Sequence, residues 1–285
     1  MALENNLDRL FEREYNFPKR INKKKILVIG LGGGCDVVSA YCMAKHLNLS
    51  ENTKLIYGNT KHSVGTHEMF NVTNHIKKFT VKQVEQDEIT ANFYPLTIEM
   101  TLPREKENCP YIFLLNNQYA DHALIKEIKS LDFDFIVGVD TGGDSLVDTA
   151  ITGDFGRDKR MLEIIKTTRI DMLHVIFGIG SDGESRAEDI ERTLLDVNRS
   201  GCYMGCFNLS PFVEDFRKYA GFLTWRRTPN IIYNAFRNVK KFENESDFNS
   251  DINKESKYGE SVIVPRGISP SIPVKWLKYG LVFKY

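Results

Sequence analysis

The hydrophobic positions of this 285-residue chain fall into short unbroken runs separated by amphipathic stretches. Lys25 to Gly30, Tyr111 to Leu115, Asp134 to Val139 and Asp171 to Phe177 are such runs. That pattern reads as buried strands of a parallel sheet. Lys54 to Tyr57 adds a shorter strand that ends at Gly58-Asn59-Thr60. Helical spacing follows each run. An amphipathic helix follows the glycine loop after Gly30, and Asp121 to Leu131 places Ala123, Leu124, Ile128 and Leu131 on one face. Arg157 to Thr168 does the same with Met161, Leu162, Ile164 and Ile165, and Glu188 to Asn198 forms another helix. Alternating strands and helices predict βαβ units with right-handed crossovers and helices on both faces of the sheet.

Outside this core the pattern changes. Leu7 to Tyr15 carries Leu7, Leu10, Phe11 and Tyr15 at helical spacing. His62 to Pro103 is polar and irregular and reads as an insertion or lid with short elements of its own. Pro211 to Leu223 and Pro229 to Lys240 predict two helices joined by Thr224-Trp225-Arg226-Arg227. Phe242 to Ser256, rich in Asn, Asp, Glu, Ser and Lys, has the composition of a linker. Ser261 to Val264 and Gly280 to Phe283 are strand-like. The reading is therefore an α/β, Rossmann-like three-layer sandwich with a mostly parallel sheet and a C-terminal α/β extension. Its segments are 1–24 for entry, 25–209 for the main domain with its insertion at 62–103, and 210–285 for the extension.

Charge narrows the function classes. Lys plus Arg equals Asp plus Glu at 38 each, without the basic excess of a dedicated nucleic-acid binder. No window approaches the roughly 18 uninterrupted apolar residues of a membrane span, and Met1 to Asn6 lacks the zones of a signal peptide. The five cysteines are scattered, and Cys202 and Cys206 have no second pair to complete a zinc site. A cytoplasmic protein acting on a small molecule is expected, with homo-oligomers left open.

The chemistry concentrates in three turns that combine glycine with acid: Gly32-Gly33-Gly34-Cys35-Asp36, Asp140-Thr-Gly142-Gly143-Asp144 and Ser181-Asp182-Gly183-Glu184. Each follows a predicted strand, and ligands of open parallel sheets bind at the carboxyl ends of strands. Glycine lets a ligand approach the main chain, and a helix N-terminus offers unpaired N–H groups to an anion. Several carboxylates around such a cradle make sense when magnesium bridges them to phosphate oxygens. Asp36, Asp140, Asp144 and Asp182 are the candidate metal ligands. Gly32, Gly33, Gly34, Thr60, Gly142, Gly143, Asp182 and Glu184 are the candidate ligand contacts, and Asp36, Asp144 and His67 the candidate catalytic groups.

Plainer roles compete for the same residues. Asp36, Asp140 and Asp144 are also suited to capping or turns, and Asp182-Gly183 is a common turn dipeptide. His62 and His67 lie in the loop that opens on the same edge, as solvated residues or as acid–base groups. His174 sits inside an apolar strand. No Gly-x-Ser-x-Gly elbow and no Walker lysine is present, which argues against an α/β-hydrolase and a P-loop phosphotransferase.

Ile29 to Ala40, Gly138 to Leu146 and Phe177 to Glu184 together resemble the three signature segments of domain-of-unknown-function family 1152, over roughly Lys25 to Leu209. Cys35 stands where that family usually has a fourth glycine. The resemblance implies the fold and the place of the site and supplies no reaction. A weaker likeness links Gly32 to Asp36 and Gly138 to Asp144 with the ATP pyrophosphatase (PP-loop) enzymes, with Gly32 and Val37 in place of that family's loop serines. It implies ATP pyrophosphate on the loop and magnesium near Asp36 and Asp144. The leading expectation is a transferase or ligase that uses ATP or another phosphorylated compound with Mg2+ and acts at phosphorus, in one form by adenylating a small acid. The alternatives are a metal-dependent lyase or hydrolase of a small carboxylate without nucleotide, and a non-catalytic ligand sensor.

Overall fold

A computed structural model describes residues 4–18, 21–64, 69–78, 98–99, 102, 109–116, 120–147, 156–220, 227–237, 261–262 and 272–285. In chain order the elements begin with α1 (Glu4–Glu12), β1 (Lys25–Gly30), α2 (Asp36–His46), β2 (Lys54–Lys61), β3 (Phe70–Asn71), β4 (Ile76–Lys78) and β5 (Tyr111–Leu114). Next come α3 (Ala120–Ser130), β6 (Phe135–Thr141), α4 (Arg157–Thr168), β7 (Met172–Phe177), α5 (Ala187–Arg199) and β8 (Tyr203–Asn208). A 3-10 turn (Ser210–Phe212) leads to α6 (Val213–Ala220), α7 (Thr228–Phe236), β9 (Ser261–Val262), β10 (Ile272–Pro273), α8 (Val274–Leu277) and β11 (Tyr279–Phe283). The fold is mixed α/β, with a large and mostly parallel sheet flanked by helices. The predicted linker at 242–256 lies outside the described residues, as do Trp225 and Arg226.

The chain divides into two compact units. The first comprises Phe17–Val139 and Arg157–His174. Its strands run in the order β3-β4-β5-β2-β1-β6-β7. β1 is parallel to β2, from Lys25↔Lys54 to Gly30↔Asn59, and to β6, from Ile26↔Phe135 to Gly30↔Val139. β2 is parallel to β5, whereas β4 and β3 add an antiparallel edge. Leu27, Ile29, Ile56, Phe113, Leu124, Ile128, Ile136 and Ile165 close one core between strands and helices. These are the apolar runs of the sequence, and full burial on both sheet faces explains why they do not alternate with polar residues. β2 runs on through Gly58 to Lys61, past the end expected at Tyr57. Its last residues are held by β5, from Gly58↔Tyr111 to Lys61↔Leu114.

The second unit comprises Met1–Asn16, Asp140–Gly156 and Val175–Tyr285. Here the end of β7 is followed in the sheet by β11 and then β8, and the last two are antiparallel. β8 was not foreseen. Gly205 interrupts its alternation at φ +138°, and a Cβ there would fall 2.6 Å from the Arg13 carbonyl. The absent side chain lets the segment after α1 run beside β8, where Tyr15 N–H donates to Cys206 O and Cys206 N–H to Arg13 O. Leu7, Leu10 and Phe11 of α1 are buried with Ile190, Leu194, Tyr203, Trp276, Leu281 and Phe283. The Cys206 thiol donates to Phe11 O at 3.3 Å, a packing role, and the described cysteines are free thiols. Among the described residues no helix is long and apolar enough to cross a membrane.

Candidate functional site

In the first unit the chain leaves β1 with β2 on one side and β6 on the other. That is a topological switch point, the place where loops diverge and a crevice opens outside the strand ends. The loop after Gly30 occupies it. Gly34 turns the chain at φ +64°, a region that favours glycine, and α2 begins at Asp36.

The loop is closed from inside by acid. Asp36, only 5% exposed, turns its carboxylate back so that Gly32 N–H donates to Oδ2 at 2.8 Å. Asp158, in the first turn of α4 and 6% exposed, approaches the same glycine. An ideal Cβ on Gly32 would lie 2.0 Å from Asp158 Oδ2, so no other residue fits there without displacing the carboxylate. Asp36 and Asp158 each offer a carboxylate oxygen within 4.8 Å of the other. Beside them, the Arg157 guanidinium packs on Gly33, 2.9 Å from where a Cβ would stand. Two buried carboxyl groups and one guanidinium thus border bare main chain.

The end of β2 supports this loop. Thr60, fully buried, donates its hydroxyl to Gly30 O at 3.0 Å, tying the two strand ends together. Asn59 Oδ1 lies 2.4 Å from the Cβ position of Gly30, and its Nδ2 donates to Glu99 Oε1 at 2.8 Å. Lys61 Nζ reaches the same Glu99 oxygen at 2.9 Å, both side chains being buried. Glu99 Oε2 has no hydrogen-bond partner among the described residues. His62 Nδ1 pairs with Leu115 O at 3.0 Å, and His67 lies outside the described residues. His174 is fully buried in β7, and desolvation, with a smaller push from Lys166, lowers its pKa to about 3.

The other two acidic turns belong to the second unit and meet each other there. Gly142 N–H donates to Phe177 O and Gly180 N–H to Gly142 O. Gly142 and Gly143 sit at φ +129° and +112°. Asp140, fully buried, accepts Gly143 N–H, Ser145 N–H at 3.0 Å and the Ser145 hydroxyl. Burial raises its pKa, with the Ser145 and Gly143 bonds opposing and Glu184 adding repulsion. Asp182 Oδ1 accepts Glu184 N–H at 2.9 Å, while Oδ2 faces Gly142, 2.1 Å from its Cβ position. Desolvation, then repulsion from Asp140 and Glu184, raises the Asp182 pKa well above the usual carboxylate range. Asp144 and Glu184 are half-buried in the two turns.

Asp158, Arg157, Asn59, Lys61 and Glu99 were not singled out in the sequence. An acid in the first turn of a helix is favoured by the helix dipole alone, so Asp158 carried no distinguishing mark. Lys61 and Glu99 are far apart in sequence, and only the fold joins them.

Residues 112–229 match the family described as Protein of unknown function (DUF1152). The match takes in the Asp140 and Asp182 turns and starts after the Gly32 loop. It agrees with the resemblance drawn from the segments at Gly138 and Phe177, and it lends no support to the likeness with ATP pyrophosphatases. No curated protein and no solved structure matches the chain.

Proposed function

We propose that this protein is an enzyme that binds a phosphorylated small molecule, ATP in the leading form, with a divalent cation at the Gly32–Asp36 loop, and transfers or cleaves at phosphorus. One observation carries the reading: two buried carboxylates, Asp36 and Asp158, flank bare glycine main chain beside the Arg157 guanidinium. Direct phosphate binding on this loop would set two acids against an anion. A cation between them removes that conflict, and Mg2+ takes one or two carboxylates plus phosphate oxygens. Arginine presents a planar fork of donors that suits phosphate, and the start of α2 adds its dipole.

On this reading Asp36 and Asp158 hold the cation, which supplies charge neutralisation at the phosphate. Gly33 and Gly34 allow close approach of the ligand, and Arg157 stabilises charge that develops at phosphorus. Thr60 positions the loop through Gly30. Transfer of the adenylyl group to the carboxylate of a small acid, with pyrophosphate leaving, is the specific form that fits ATP, and His67 is the candidate acid–base group.

Incubation of the protein with ATP, Mg2+ and a panel of small carboxylic acids tests the reading, with nucleotide products separated by chromatography. Production of AMP and pyrophosphate, or of ADP and phosphate, that is lost in Asp36→Asn and Asp158→Asn supports it. Metal-dependent turnover of an acid that ignores ATP would favour a lyase or hydrolase instead.

A further inference from the structure

We infer that the end of β2 binds neighbouring sugar hydroxyls of the ligand, so that the phosphorylated compound is a ribonucleotide or a sugar phosphate. The inference rests on the phosphate site of the proposed function and names the part of the ligand beyond the phosphate. Asn59 and Lys61 are two residues apart on β2, which puts both side chains on the same face of the sheet. Both reach Glu99. Asn59 Nδ2 donates to Oε1 at 2.8 Å, and Lys61 Nζ meets the same oxygen at 2.9 Å. Asn59 and Glu99 are 0% and 1% exposed, and two acceptors of this joined group are left over. Asn59 Oδ1 and Glu99 Oε2 are buried and have no hydrogen-bond partner among the described residues. Folded proteins complete such atoms with a ligand or with water.

Both leftover atoms accept hydrogen bonds, so the group that completes them must donate. Lys61 already balances the charge of Glu99, and a second cation, metal or ammonium, would leave an excess of buried positive charge. Hydroxyls donate without adding charge, and two acceptors call for two of them. The position fits a sugar next to a phosphate. Asn59 pairs in register with Gly30, and its Oδ1 lies 2.4 Å from the Cβ position of that glycine, two residues before Gly32. A ligand with its phosphate on the Gly32–Gly34 loop therefore extends its carbon skeleton along the crevice towards the end of the adjacent strand. A hydroxyl bound at closed, dry acceptors is missed more than one bound in water, because its loss leaves them unpaired.

The test titrates the full chain calorimetrically, with Mg2+ present, against ATP, 2′-deoxy-ATP and 3′-deoxy-ATP, and against ribose 5-phosphate and 2-deoxyribose 5-phosphate. Each deoxy compound should bind at least about tenfold more weakly than its parent. Asn59→Ala keeps the Lys61–Glu99 pair and should narrow the gap between parent and deoxy compound, a ratio that general loosening of the fold would not move. The wild-type comparison decides by itself if the variant does not fold. Equal binding of ATP and its deoxy forms overturns the inference and leaves the proposed function standing, as does a gap that Asn59→Ala leaves unchanged. Preference for the hydroxylated sugar phosphate without any cleavage of ATP supports the inference and counts against the proposed function. Failure of all five compounds to bind overturns both.

Discussion

The Asp158 carboxylate occupies the space that a side chain would fill at Gly32, with Oδ2 2.0 Å from the ideal Cβ position. The glycine thus makes room for an acid of the protein as well as baring its own amide, which donates to Asp36. The same relationship recurs between Asp182 and Gly142 in the second unit.

Gly32→Ala is expected to destabilise by about 1–3 kcal/mol, the usual cost of overpacking, because Asp158 must move. Asp158→Gly in the same chain should recover most of that loss. Urea unfolding of the two single variants and the double variant measures the coupling. Additive effects would show that the contact is not the cause.

The Lys61–Glu99 pair gives a second cycle. Both side chains are buried, and removing one partner leaves an unpaired charge, at a cost of about 3–5 kcal/mol. Lys61→Met and Glu99→Gln should each unfold at much lower urea than the wild type. The double variant should be the more stable of the three, since it leaves no buried charge.

Asp182 contributes to the pH dependence of stability. Its folded pKa is raised, so between the ordinary carboxylate value of 3.8 and that raised value the folded state binds more protons than the unfolded state. Stability therefore falls as pH rises through this window. Asp182→Asn, measured in chelator by thermal unfolding at several pH values, should flatten that slope. An unchanged slope would assign it to other groups.

His174 works in the opposite direction. The folded imidazole stays neutral down to about 3, while the unfolded one protonates near 6.5. The unfolded state binds the extra proton in between, so stability drops as pH falls from 6.5 towards 3, by at most about 1.4 kcal/mol per pH unit. His174→Gln should remove this contribution, which urea unfolding at pH 7 and pH 5 would show.

Much of the framework was legible because burial on both faces writes strands as unbroken apolar runs. β1, β5, β6 and β7, with the helices after β5, β6 and β7, fall within a residue or two of the expected bounds. β8 was not legible, since Gly205 breaks its pattern to admit the Arg13 carbonyl. The acids of the glycine loops were visible as a motif, but their partners were not. Asp158 reads as an ordinary first-turn acid, and Glu99 sits between stretches with no regular pattern. Thr60, expected to touch a ligand, donates to Gly30 O within the sheet edge, a role that its β2 position fixes only once strand pairing is known.

Equilibrium binding of ATP to the full chain tests the central claim most directly, measured with Mg2+ and again in chelator. The account predicts saturable binding that requires Mg2+ and is lost in Asp36→Asn and in Asp158→Asn while both variants keep their fold. Binding of equal strength without the cation, or binding unaffected by either substitution, would contradict it.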